Sequence, residues 1–100
     1  MLEKQIETKV CSYAKSLDFL ALKFTSPQRA AVPDRLFIHN GLFFFIEFKA
    51  PGNMPTPAQI REHIRIRDAG GYVFVVDSID KGRYILDMVN LNVPLDRIFG

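Results

Sequence analysis

The apolar positions of this chain follow a helical spacing first and strand-like runs afterwards. Residues 2–17 repeat apolar side chains every three or four positions, which predicts an amphipathic helix. Compact apolar runs at 19–25, 35–39, 42–49 and 72–76 predict strands. The pattern therefore predicts one helix followed by three strands, and a fourth strand later in the chain.

Turn and capping residues set the boundaries of these elements. Asn40 and Gly41 both tolerate positive φ, so they predict a tight hairpin that joins the second and third strands antiparallel. Pro33 cannot donate to a strand ladder and marks the beginning of the second strand.

A second helix is predicted between the third and fourth strands. Thr56 is its N-cap, Pro57 its first residue, and it runs to about residue 69, before two glycines. Its Ile60 and Ile64 are expected to face the core. A strand after this helix completes a βαβ unit with a right-handed parallel crossover, and Ser78 can cap a last helix.

Two charges interrupt the apolar run 42–49 near its end. Glu47 and Lys49 are two positions apart, so their side chains leave the same face of the strand. A buried charge costs several kcal/mol unless it is paired or binds something. The hairpin register also places Asp34 opposite Glu47, with Cβ atoms about 5 Å apart.

Two facing carboxylates repel each other unless a cation lies between them. Carboxylates suit Mg²⁺ or Mn²⁺, whereas one Cys and two His at unrelated spacings do not form a zinc set. Asp34 and Glu47 therefore predict a metal site. Lys49, next to the metal, could orient or deprotonate a bound water. An ordinary ion pair at the strand end is the alternative interpretation of Glu47 and Lys49.

Composition predicts one domain over 1–100, with a core at about 2–89 and an apolar tail at 90–100. The tail must pack on its own domain or meet a partner chain. No apolar run reaches the roughly 18 residues of a membrane span. The N-terminus lacks the apolar region of a signal peptide, so a cytoplasmic location is expected. Positive charge gathers at 23–35 and 49–67, which suits a polyanionic partner or a merely solvated surface.

Asp34 after Pro33, then twelve residues, then Glu47-Phe48-Lys49 resembles the PD-(D/E)XK nuclease motif. The flanking sequence resembles the VRR-NUC branch, the virus-type replication-repair nucleases. The segments that carry this likeness are Thr25-Ser26-Pro27, Val32-Pro33-Asp34-Arg35, Phe45 to Gly52, Gln59 and Gly71. The likeness covers about residues 3–89. Gln28 and Ala31 depart from the family's pattern, in which glycines are common near these positions.

The resemblance implies an α/β fold with an αβββαβ core, a mixed sheet flanked by helices. It also implies Mg²⁺- or Mn²⁺-dependent hydrolysis of DNA phosphodiesters. The implied metal ligands are Asp34, Glu47, the backbone carbonyl of Phe48 and a glutamate from the first helix. Glu7 is the expected glutamate, because it lies beside the apolar stripe, and Glu3 is the fallback. Lys49 is implied to serve the attacking water.

Gln59 is implied as a further site residue. A capping box, in which its amide reaches back to Thr56, is the competing interpretation. The two roles are expected to exclude each other, because one amide would have to fill both.

Stand-alone members resemble Holliday-junction resolvases, so a homodimer that cuts branched DNA is expected. Candidate DNA contacts are Ser26, Arg29, Arg61 and Arg65, although the arginines can equally form a solvated face. A DNA-binding module of the same fold without catalysis is the alternative function. A domain that docks partners through its tail is the third hypothesis.

Overall fold

A computed structural model describes residues 1–99 as a four-stranded sheet with helices on both faces. The elements are α1 (Glu3–Ser16), β1 (Leu20–Lys23), β2 (Arg35–His39), β3 (Leu42–Phe48), α2 (Pro57–Asp68), β4 (Val73–Val76), α3 (Ile79–Asn90) and a 3₁₀ turn (Leu95–Arg97). The strands lie in the order β1-β2-β3-β4. This arrangement confirms the predicted α/β fold with a mixed sheet.

Strand directions follow from the connections between the strands. β1 and β2 pair antiparallel, as do β2 and β3, while β3 and β4 pair parallel. Asn40 and Gly41 take φ values of 49° and 78°, the positive range that a tight hairpin requires. The helix α2 supplies the crossover between the two parallel strands, so the predicted βαβ unit is confirmed.

One face of the sheet carries the hydrophobic core. Phe44, Ile46 and Phe48 of β3 alternate with outward residues and are fully buried against α1 and α3. The ring of Phe44 stacks on Phe37 at 5.4 Å and meets Phe74 edge-on at 5.7 Å. These aromatic contacts hold β2, β3 and β4 in one rigid layer.

On the opposite face of the sheet, α2 packs over β4 and the end of β3 and leaves the rest of that face open. The buried side of this helix differs from the expectation. Ile60 and Ile64 are 43% and 49% exposed, so the prediction that they face the core is wrong. Glu62 and His63 are buried instead. The reason is that α2 lies over the end of β3 that bears Glu47, where polar side chains find partners and isoleucines do not.

The C-terminal tail packs mainly on its own domain. Leu95 and Ile98 are buried and join the hydrophobic core, whereas Leu91 and Phe99 are 67% and 83% exposed. Gly100 lies outside the described residues. Within residues 1–99, no helix has the length and apolar character needed to cross a membrane.

Gly82 permits the close crossing of α3 over α1. A Cβ atom at this position would lie 2.4 Å from Cγ2 of Val10, whose side chain is fully buried. Alanine ordinarily favours a helix by about 1 kcal/mol over glycine, but overpacking costs about 1–3 kcal/mol. The contact is severe, so we expect Gly82→Ala to lower the free energy of unfolding by about 1–2 kcal/mol.

Denaturant unfolding of Gly82→Ala, Val10→Ala and the double variant tests this close contact. Removing the valine methyl groups makes room for the new Cβ. The double variant is therefore expected to be more stable than the sum of the single effects by about 1 kcal/mol. A stabilised Gly82→Ala protein, or strictly additive effects, would contradict the steric account.

Candidate metal centre

The hairpin brings Asp34 and Glu47 together, as predicted. Arg35 pairs with Ile46 in the ladder, so the next position outward sets Asp34 against Glu47. The Oδ2 atom of Asp34 accepts a hydrogen bond of 2.8 Å from the backbone N–H of Phe48. The main chain at the end of β3 therefore fixes the orientation of the Asp34 carboxylate beside Glu47.

The two carboxyl groups affect each other's proton binding. Burial raises the pKa of Asp34 from its ordinary 3.8 to about 7, and the N–H of Phe48 opposes this rise. The negative charge of Glu47, a hydrogen bond between the two carboxyl groups and the charge of Glu7 raise the pKa of Asp34 further. The folded chain therefore favours the protonated form of Asp34 at pH values well above those at which an exposed carboxyl loses its proton.

This raised pKa makes stability depend on pH in a definite direction. Between pH 3.8 and about 7 the folded state binds more protons at Asp34 than the unfolded state does, so its contribution to stability falls as the pH rises. In EDTA, we expect the wild type to lose stability relative to Asp34→Asn between pH 4.5 and pH 7.5. Denaturant unfolding at both pH values measures the difference, and parallel pH profiles would contradict it.

Glu47 is the most enclosed carboxylate of the site. It is 2% exposed, and its Oε2 atom accepts a long hydrogen bond of 3.4 Å from Nε2 of Gln59. Its Oε1 atom has no hydrogen-bond partner and lies 3.6 Å from Nε2 of His63, which also has none. A buried carboxylate that lies next to a second carboxylate, and whose contacts with nitrogen atoms are all long, fits the coordination of a hard divalent cation.

Gln59 closes the predicted capping box and also contacts Glu47. Its Oε1 atom accepts from the N–H of Thr56 at 2.9 Å, which closes the capping box, while its Nε2 atom reaches Glu47. Contrary to the expectation, the capping box does not prevent a contact with Glu47, because the oxygen and the nitrogen of the amide act separately. A role of Gln59 in the site stays a prediction. The cap of α2 thus also positions Gln59 at the carboxylate pair.

The structure does not join Glu7 to the carboxylate pair. Its Oε2 atom accepts a 2.8 Å hydrogen bond from Nε of Arg35, and the pair is partly buried between α1 and β2. Glu3, the fallback, is exposed in the first turn of α1. Among residues 1–99, no three His, Cys, Asp or Glu side chains form a group that could hold a metal ion. The assignment of a helix glutamate to the site stays a prediction.

Phe48 is the last residue of β3, and Lys49 directly follows it. The N–H of Lys49 donates to the carbonyl of Val76 at 2.9 Å, and the Lys49 side chain is half-buried. Phe48 contacts Asp34 through its N–H, which places the main chain of Phe48 beside that carboxylate. The roles of the Phe48 carbonyl and the Lys49 ammonium stay predictions.

The predicted DNA contacts differ in their surroundings. Nε of Arg29 lies 3.0 Å from both carboxylate oxygens of Glu62, and Arg65 lies 3.6 Å from the same residue. Arg61 is exposed, and Ser26 is half-buried in the loop before Asp34. The buried charge of Glu62 therefore partly neutralises two of the arginines and links the loop to α2.

His63 and Glu62 were not found from the sequence. The available signal was helical spacing: His63 lies four residues after Gln59, so the two side chains share one face of α2. Assigning Gln59 to the site therefore places His63 there as well. The isoleucines at 60 and 64 obscured this face, because apolar residues normally mark the buried side of a helix.

Comparisons with known proteins agree with this geometry. The chain is 46% identical over 89 residues to p44 of Acyrthosiphon pisum secondary endosymbiont phage 1, a protein provisionally named a nuclease. That match covers 88% of this chain and 95% of p44. A solved structure of a VRR_NUC domain superposes with a TM-score of 0.78 and 30% identity, over 85% of this chain and 94% of the other. No family model matches. With its carboxylate pair at the end of β3 and these two relatives, the chain belongs to the VRR-NUC domain family.

Proposed function

We propose that this chain is a metal-dependent endonuclease that hydrolyses DNA phosphodiester bonds. The observation that carries the proposal is the pairing of the buried Glu47 with the half-buried Asp34, whose pKa is raised. A fold that only bound DNA would gain nothing from two repelling carboxylates. Two relatives support the same activity: the phage protein p44, which is provisionally named a nuclease, and the solved VRR_NUC domain.

In this proposal, Asp34, Glu47 and the carbonyl of Phe48 hold Mg²⁺ or Mn²⁺. The bound ion supplies Lewis acidity to a phosphate oxygen and lowers the pKa of a bound water. The Phe48 N–H keeps Asp34 in place, and Gln59 does the same for Glu47. Lys49 leaves the sheet beside these groups, where its ammonium orients the attacking water or its neutral amine accepts the proton.

Glu7 is the proposed third carboxylate. Its charge already raises the pKa of Asp34, so the two groups interact electrostatically although Glu7 is paired with Arg35. To join the site, the Glu7 carboxylate would have to leave Arg35, so completing the site would cost one partly buried ion pair.

The proposed substrate is branched DNA, such as a flap or a four-way junction. Positively charged groups available for phosphates include Arg61, which is exposed, and Arg29 and Arg65, which keep 46% and 61% of their side chains exposed despite their pairing with Glu62. These groups lie on α2 and on the loop before β2, the two segments that flank the carboxylate pair. Phosphate contacts there would position the DNA without reading its sequence.

Cleavage of labelled linear, flapped and four-way DNA tests the proposal. We expect products with Mg²⁺ or Mn²⁺, none in EDTA, and none from Asp34→Asn. Asp68→Asn, which removes an exposed carboxylate at the end of α2, is the matched control and should cut like the wild type. DNA binding without cleavage under either metal would favour the non-catalytic binding module instead.

The proposal includes a homodimer. Two rows of apolar side chains cross β1, β2 and β3 on the sheet face that α2 leaves open, in the register that the ladders set. They are Leu20, Ile38 and Phe43, and then Leu22, Leu36 and Phe45. Leu20 and Phe43 are 52% and 58% exposed. A contiguous apolar surface of this kind is typical of a contact between protein chains.

Light scattering of Phe43→Arg tests this interface. We expect the wild type to have twice the chain mass of 11.4 kDa and the variant to have the mass of one chain. Leu91→Arg is the control, because Leu91 is 67% exposed and lies outside the two rows. A monomeric wild type would remove the dimer from the proposal and leave the nuclease site unaffected.

A further inference from the structure

His63 is a buried histidine that the proposed chemistry does not use. It is 2% exposed, on the side of α2 that faces the sheet. Its Nε2 atom has no hydrogen-bond partner, and the nearest acidic atom is Oε1 of Glu47 at 3.6 Å, which has no partner either. Buried polar groups are nearly always hydrogen-bonded, so two facing atoms without partners require an explanation.

Gln59 and His63 approach the same carboxylate from one face of α2. Residues four apart lie one above the other on a helix. The Nε2 atom of Gln59 is 3.4 Å from Oε2 of Glu47, and Nε2 of His63 is 3.6 Å from Oε1. Each oxygen of Glu47 therefore has its own nitrogen, and both distances exceed the 2.7–3.2 Å typical of an N–H···O bond by only a few tenths of an ångström.

We propose that His63 is a positioning residue for Glu47, an inference that rests on the proposed metal site. With a proton on Nε2, the imidazole donates to Oε1 while Gln59 donates to Oε2. The two bonds would fix the rotation of the Glu47 carboxylate about its last torsion, beside Asp34. Outer partners of this kind hold metal-binding carboxylates in orientation, and their loss typically weakens metal binding 10–100-fold.

The competing role for His63 is that of a core side chain whose only function is to fill space under α2. The two roles differ in what a substitution changes. Substituting a space-filling residue changes the free energy of unfolding but not the metal affinity. Substituting a donor to Glu47 lowers the metal affinity, unless the new side chain places an N–H at the same position. Glutamine offers such an N–H at a reach close to that of Nε2.

Calorimetric titration of the full chain with Mn²⁺ alone separates the two roles. We expect His63→Leu to weaken Mn²⁺ binding about 10–100-fold, and His63→Gln to bind within about threefold of the wild type. His39→Leu is the matched control: His39 is also buried, but it stacks on Phe19 and contacts Asn90 far from the carboxylates. That variant should retain the wild-type Mn²⁺ affinity.

Each result has one meaning. If His63→Leu is folded by circular dichroism and binds Mn²⁺ as well as the wild type, the positioning role is overturned while the nuclease proposal stands. If His63→Gln binds as weakly as His63→Leu, the donor role is overturned as well, because a retained N–H did not restore affinity. A wild type that neither binds Mn²⁺ nor cuts DNA overturns the proposed function itself.

Discussion

Lys49→Ala is expected to lower the rate of DNA cleavage by about 10²–10⁴-fold, the range for losing a group that transfers a proton to or from the reacting water. The substitution removes the ammonium group, to which the motif assigns the role of serving the attacking water. It leaves the backbone hydrogen bond from the N–H of residue 49 to Val76 in place. Mn²⁺ affinity is expected to change less than threefold, since Lys49 is not among the proposed ligands. Single-turnover cleavage and Mn²⁺ titration on the same preparation measure the two effects.

Asp34→Asn and Lys49→Ala are expected to differ in their effect on metal affinity. Removing a ligand lowers both metal affinity and cleavage, whereas removing Lys49 lowers cleavage alone. Lys9→Ala is the control for a lost positive charge, because Lys9 is exposed on α1. A Lys49→Ala protein that cuts at the wild-type rate with saturating metal would show that the water is activated without this ammonium.

The carboxylate pair could be predicted because local chemistry sets it. Asn40 and Gly41 determine the turn, the turn determines the register, and the register sets Asp34 against Glu47. Each of these steps depends only on residues that are close in sequence or paired across one tight hairpin. The same is true of the capping box at Thr56, which depends on residues three positions apart.

The placement of α2 could not be predicted, because tertiary contacts decided it. Hydrophobic periodicity favoured Ile60 and Ile64 as the buried side, yet Glu62 and His63 are buried. Their partners, Arg29 in the loop before β2 and Glu47 in β3, are distant in sequence. Ion pairs and hydrogen bonds across such distances leave no periodic pattern, so the helix was predicted and its orientation was not.

Glu7 shows the same limit at the level of a single side chain. Its position on the margin of α1 was visible in the apolar stripe, but its contact with Arg35 depends on how α1 crosses the sheet. Arg35 is the first residue of β2 and immediately follows Asp34. The sequence therefore places Glu7 near the site, and only the packing of α1 shows which group it contacts.

Phe44→Ala is expected to lower the free energy of unfolding by about 3–5 kcal/mol, the usual range for removing a buried phenylalanine side chain. Phe44 is fully buried, and its ring contacts Phe37, Phe74 and Phe19. Those neighbours belong to β2, β4 and the end of the α1–β1 connection, so the cavity would lie at the centre of the sheet and could not collapse without moving several strands.

The loss is a large part of the 5–15 kcal/mol that stabilises a typical domain, and each kcal/mol lowers the Tm of a chain this size by about 4–8 °C. A fall in Tm of at least 12 °C is therefore expected by differential scanning calorimetry in EDTA. Phe99→Ala, at an 83% exposed position, should change Tm by less than about 4 °C. Phe44 lies in the β2–β3 hairpin that brings Asp34 to Glu47. A small fall in Tm for Phe44→Ala would therefore mean that the turn at Asn40 and Gly41 holds the two carboxylates together without the aromatic contacts.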